Sequence, residues 1–340
     1  MSSGKSFFET IQNYVINVLN GMAHGLFASL IIGLIIKQIG GIADIAALEL
    51  FGRTAQLMMG PAIGAGVAYS IGSPPLGIFA SMIAGAIGAG TVSFEGGAAL
   101  LNIGEPVGAL VASLAGAEIS RLVSGRTKVD IVLVPAVTII AGGYAGLYAG
   151  PWISSMMAML GEMINLATQM HPLPMGILVS VMMGMILTLP ISSAALAISL
   201  GLSGLAAGAA TVGCCCQMVG FAVQSYRENG LGGLIAQGLG TSMLQIPNIV
   251  KNPLIWIPPI ISSALLGPLA TLFFKMENNR IGAGMGTSGL VGQFGTYAEM
   301  GNFAWPGMIL LHFLLPAALT LFFSEFMRKK KLIKPGDMKL

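Results

Sequence analysis

The chain is written in long apolar runs separated by short polar, glycine-rich or proline-rich breaks. A helix needs about 20 mostly apolar residues to cross a bilayer, and runs of that kind recur from one end to the other. Their pattern predicts spans near 20–38, 46–70, 74–93, 105–123, 128–149, 173–189, 204–224, 253–275 and 304–327. The fold expected is all-α integral membrane, a polytopic helical transporter fold with about 8–10 spanning helices and re-entrant hairpins. Ahead of the first run, Phe7, Phe8, Ile11, Tyr14, Val15 and Val18 fall at helical spacing. That spacing predicts an N-terminal amphipathic segment over 1–20. Residues 21–327 are expected to form a single transmembrane permease-like domain, and 328–340 a basic cytoplasmic tail.

Four segments, 94–106, 150–171, 231–252 and 281–301, resist a smooth spanning reading. They are apolar enough to stay with the membrane but too short or too rich in Gly and Pro to cross it regularly. Non-helical backbone survives at membrane depth only where protein buries it or water reaches it. These segments are therefore candidate re-entrant hairpins, of the kind transporters use to present helix ends and free backbone groups to a substrate. A break containing Pro and Asn occurs in each half, at 102–106 and 245–253, which hints at duplicated architecture.

Composition agrees with the pattern. Of 340 residues, 55% are hydrophobic and 9% charged, where a soluble domain carries about 25% charged residues. Mean hydropathy is +0.84. The 48 glycines suit close helix approach in lipid. The formal net charge of +3 says less than its placement. Arg328, Lys329, Lys330 and Lys331 follow the last run, Arg121, Arg126 and Lys128 mark a turn, and Lys5 precedes the first run. By the positive-inside rule both ends are expected in the cytoplasm, with an even number of spans. A cleavable signal peptide is not expected, because a short apolar core with a small-residue cleavage site is missing from the first residues. Nothing suggests a nucleic-acid partner.

Cys214, Cys215 and Cys216 are consecutive and point to different helix faces, so they make no metal site by themselves. His24 and His312 lie in apolar runs and read as packing residues. No nucleotide-binding or hydrolase signature stands in a credible context. Neither a catalytic residue, a metal nor a cofactor is expected.

The candidate chemistry sits in the breaks. Glu105 follows Gly104 and precedes Pro106 at a helix start, close to Asn102. An ionisable group at membrane depth usually faces a cavity, partner or pathway; the same carboxylate is also placed to cap the helix. The second break offers the amides of Gln245, Asn248 and Asn252, which donate and accept and suit a neutral polyhydroxyl ligand, while Lys251 suits an anion. A solvated interface loop is the alternative. The third break carries Thr287, Ser288 and Gln293 among glycines, either as a ligand pocket or as a structural tight turn. His171, before Pro172, completes the candidate substrate-binding set.

The run Pro61–Tyr69, then Ser73-Pro74-Pro75 and Ile83–Gly90, resembles the Gly-rich early helices of the membrane permease subunit (enzyme IIC) of the sugar phosphotransferase system. The stretch from Ser192-Ser193-Ala194-Ala195-Leu196 to Asn252–Pro258 resembles the second half of that family. The 284–293 run is similar to a short stand-alone branch of it that includes the perfringolysin regulatory protein. The resemblance implies a homodimer, two re-entrant hairpins, a sugar site in a mobile transport domain, and phosphoryl-carrier subunits as separate proteins. In the glucose-type permeases a Glu before a Pro contacts the sugar. The matching pair here is Glu105-Pro106, and the late position reads Gln245-Ile246-Pro247-Asn248 without a Glu. The function expected is a permease moving a small polar solute, a carbohydrate, by alternating access. The alternative is a non-transporting sensor of gene expression built on the same fold.

Overall fold

The computed structural model describes residues 7–95 and 98–340, with side chains except those of 7–9, 42 and 95. Lys5 and the Gly96-Gly97 pair of the first break lie outside the described residues, as do the side chains of Phe7 and Phe8. The chain divides into two compact units, Met1–Ser155 and Met156–Leu340.

In the first unit, α1 (Phe7–Leu26) passes through a π-turn into α2 (Ile32–Ala43). Residues 10–20 thus belong to the first membrane-length helix, Thr10–Gly41. Its buried face carries Ile16, Val18, Met22 and Leu26, while Ile11 and Val15 are exposed. The predicted span 46–70 is two helices, α3 (Ala46–Leu57) and α4 (Met59–Ser70). They part at Met58 (φ −85°, ψ 12°), and Pro61 falls in the first turn of α4, where its missing N–H is harmless. After α5 (Pro75–Ala89) the first break forms an antiparallel hairpin, β1 (Val92–Glu95) with β2 (Ala98–Leu101). Then comes α6 (Pro106–Val123).

The unit closes on backbone contact. A Cβ on Gly66 would lie 2.1 Å from the Gly21 oxygen, and one on Gly108 would lie 2.1 Å from the Gly88 oxygen. Small residues let helix axes approach this closely, which is how apolar helices associate in lipid.

The helix α7 (Asp130–Thr168) runs 39 residues without interruption. This corrects the expectation of a break at 150–171. Pro135 and Pro151 both stand inside it, and membrane helices tolerate such prolines.

The second unit is built on α10 (Gly204–Gln224), buried along almost its whole length. Before it come α8 (Pro172–Thr188) and α9 (Ser193–Ser199); after it come α11 (Tyr226–Ile235), α12 (Ile246–Lys251) and α13 (Ile257–Pro268). Last are α14 (Val291–Met300), α15 (Ala304–Gly307) and α16 (Leu315–Lys329). The helices α8, α13 and α16 pack around α10. Gly213 decides how close α8 comes, because a Cβ there would sit 1.8 Å from the Ser180 oxygen.

Six helices among the described residues are long and apolar enough to cross a membrane, and Pro75–Ala89 and Pro172–Thr188 are shorter apolar helices. The protein is an all-α polytopic membrane protein, with sheet confined to the β1–β2 hairpin among the described residues.

Candidate functional site

Around α10 the neighbouring elements are broken. The chain turns at 189–192, makes a π-turn over Ala236–Gly240 and a 3-10 turn over Ser242–Gln245, and loops from 274 to 287. Polar side chains from these breaks meet polar groups of α10 in clusters.

The first cluster joins Thr188, Gln217, Ser242 and Trp256. Trp256 Nε1 donates to Gln217 Oε1 at 2.8 Å, and the Thr188 hydroxyl donates to the same oxygen at 3.3 Å. Thr188 and Ser242 hydroxyls lie 2.8 Å apart. Because Thr188 has one proton, Ser242 donates to Thr188 when Thr188 donates to Gln217. An indole N–H only donates, so the Gln217 oxygen must face Trp256. Its Nε2 is left without a partner among the described residues. Gln217, Thr188 and Ser242 are fully buried. A buried donor left unpaired costs about 1–3 kcal/mol.

The second cluster is centred on Asn278, fully buried. Its Nδ2 reaches Thr211 Oγ1 at 2.7 Å, the Gly292 carbonyl at 2.9 Å and Thr296 Oγ1 at 3.1 Å. One side chain thereby fastens the 274–287 loop to α10 and α14. Asn278 and Gln217 carry no local motif; Gln217 is a single amide in a strongly apolar run, and Asn278 stands in the polar stretch Lys275–Arg280.

The sequence-predicted residues divide between the two units. Asn102 and Glu105 belong to the first. Asn102 is exposed, and its N–H donates to the Thr91 carbonyl at 2.9 Å. Glu105 is half-buried at the N-cap of α6, makes no side-chain cap bond there, and donates its N–H to the Ala89 carbonyl at 2.9 Å.

The other seven belong to the second unit. His171 is exposed at the start of α8. Thr287 and Ser288 hydroxyls bond the carbonyls of Gly238 and Gly240, which ties the third break to the second. Gln293 Nε2 is 3.0 Å from His312 Nδ1 and 3.5 Å from Cys215 Sγ. Gln245, Asn248 and Asn252 were expected to face solute. In the structure their bonding atoms are engaged by the chain itself. Gln245 Nε2 donates to Gln237 Oε1 and to the Met338 carbonyl. Asn248 Nδ2 donates to Gln245 Oε1 and to the Lys339 carbonyl. Asn252 Nδ2 donates to the Leu332 carbonyl and to Asp337 Oδ2.

Two open clefts of this unit, of about 390 and 350 Å³, are lined by residues such as Glu162 and Asn165 in one and Phe294, Tyr297 and Trp305 in the other. Neither includes the Gln217 cluster. Cys214, Cys215 and Cys216 are buried and free, and no group of metal-ligating side chains occurs among the described residues.

Apolar spans, a helix core broken at several points, and buried amides at the breaks together define a polytopic membrane protein of transporter type. Residues 16–340 match the family model described as phosphotransferase system, EIIC. The chain belongs to that family, the membrane permease component of the system, which is not catalytic by itself. No curated protein and no solved structure matches it.

Proposed function

We propose that this permease moves a small polyhydroxyl solute, a sugar, across the cytoplasmic membrane by alternating access. It acts as a homodimer with both ends in the cytoplasm, and separate phosphoryl-carrier subunits serve it. The observation that carries the reading is the Gln217 amide, a buried donor without an acceptor among the described residues, beside the Thr188 and Ser242 hydroxyls and the Trp256 ring. Sugar hydroxyls accept such a bond and donate back to hydroxyl oxygens. Gln217, Thr188 and Ser242 contact the solute. Gln245, Asn248, Asn252, Thr287, Ser288 and Gln293 hold the surrounding breaks in place. His171 is a further candidate contact.

The test is thermal unfolding of the purified full-length protein against a carbohydrate panel. A true ligand at a hundred times its Kd stabilises the folded state by about 2.7 kcal/mol. Gln217→Leu is expected to abolish that response, and to lower the unliganded Tm somewhat because the Trp256 N–H loses its acceptor. If no carbohydrate raises Tm, and both Gln217→Leu and Glu105→Gln leave uptake unchanged, the sugar reading fails.

A second reading, a non-transporting membrane regulator on the same fold, is favoured by one observation. The amides of Gln245, Asn248 and Asn252 are taken up by residues 332–340 rather than left open. It resembles the short branch suggested by the 284–293 run. A deletion strain with altered gene expression and normal solute uptake would support it; loss of uptake would reject it.

A further inference from the structure

Residues 332–340 follow α16 and turn back onto the second unit. Lys331 adopts φ +59° where the direction reverses, and Gly336 adopts φ +91° in a second turn. The segment forms neither helix nor strand. It is held by two buried side chains and a set of side-chain amides. Ile333 and Met338 are 1% and 0% exposed, and they pack with Phe221, Ile249, Ile255 and Met327. Asn229 Nδ2 and Gln245 Nε2 both donate to the Met338 carbonyl, at 2.8 and 3.0 Å. Asn248 and Asn252 take the Lys339 and Leu332 carbonyls at 3.0 and 3.1 Å. Asn229 Oδ1 accepts the Leu340 N–H at 2.9 Å.

This is recognition of an irregular peptide by side-chain amides, with two apolar anchors supplying its sequence preference. Donors on side chains can release a peptide without unravelling a helix or sheet. The contact also reaches inward. Gln245 ends the 3-10 turn that Ser242 begins, and Ser242 belongs to the buried Thr188–Gln217 cluster. Asn252 caps the turn that bears Trp256. The segment therefore grips both ends of the break that walls this cluster.

We propose that residues 332–340 are a releasable clasp. Seated in the amide cradle of Asn229, Gln245, Asn248 and Asn252, they keep the 241–256 break closed over the Gln217 cluster. Withdrawn, they open it. The proposal requires no transported solute and stands apart from the sugar reading.

The experiment uses the full-length protein in membrane vesicles with a Ser242→Cys reporter and a small maleimide. The parent protein sets the background, since its Cys214, Cys215 and Cys216 are fully buried. In the intact chain the reporter is expected to label slowly. Deleting 332–340, or introducing Met338→Asp in the intact chain, is expected to raise the rate roughly tenfold, the ratio that about 1.4 kcal/mol of lost closing energy gives. Met338→Leu keeps the slow rate, and a synthetic peptide of residues 332–340 restores protection to the deleted protein. The clasp is overturned if labelling is the same in all variants. It is also overturned if labelling rises only in step with that of the native cysteines, which reports loss of the fold rather than release of the segment.

Discussion

The two units bury polar groups in different ways. In the first, buried hydroxyls bond mostly to their own helix: Ser29 to Gly25, Ser120 to Ala117 and Thr138 to Val134. Such bonds satisfy a hydroxyl without linking elements. In the second, buried amides bond across elements, as Asn278 does to α10 and α14 and Gln245 does to Gln237. Both units use close backbone fit, but the second adds a polar network across elements that is satisfied except at a few atoms. Buried networks rigidify a core when complete and mark a vulnerable or functional spot where they are not.

Four substitutions break or sharpen that contrast. The largest effect is expected for Gly213→Ala, which forces a Cβ against the Ser180 carbonyl and separates α8 from α10. Overpacking of this kind is expected to cost roughly 3 kcal/mol, read as a marked fall in Tm. Gly66→Ala should act similarly in the first unit but leave any carbohydrate-induced stabilisation of the remaining folded protein intact. Asn278→Ala comes next, at about 2 kcal/mol, because Thr211 and Thr296 keep bonds to their own helices while the loop loses its anchor. Equal Tm for Asn278→Ala and the parent would deny the network its structural role. The smallest effect belongs to Arg121→Ala. Its pair with Glu118 spans 2.8 Å but is well exposed, so a change within about 0.5 kcal/mol is expected in denaturation.

Much of this was readable from the chain. The spans 105–123 and 204–224 lie within a residue of α6 and α10, because Pro106 marks a helix start and the apolar length is sufficient. The span 46–70 hid a break that Pro61 signals, and 150–171 signalled a break that α7 does not make. A proline tells where an N–H is missing, but neighbouring helices decide whether the helix stops. The segment 281–301 was only half a break, ending beside Thr287 and Ser288, because Val291–Met300 is helix α14. The break at 231–252 was legible through Gly, Pro and amide content, and with it Gln245 and Asn248. Their partners were not. Gln245 meets Met338 across 93 residues, and residues 332–340 read locally as a polar tail. Gln217 was missed because one amide in an apolar stretch has no periodicity to betray it, and Asn278 because the polar run Lys275–Arg280 reads as an exposed loop.

Trp256 gives the protein a reporter of its own. Its indole is hydrogen-bonded to Gln217 and touches the cluster that buries Ile333 and Met338, whereas Trp152 and Trp305 are 82% and 54% exposed. Emission from the three rings should therefore separate by burial within the protein. The protected component arises beside the Gln217 amide, so anything that engages that amide, solute or loosened break, is written directly into the ultraviolet spectrum of the unlabelled chain.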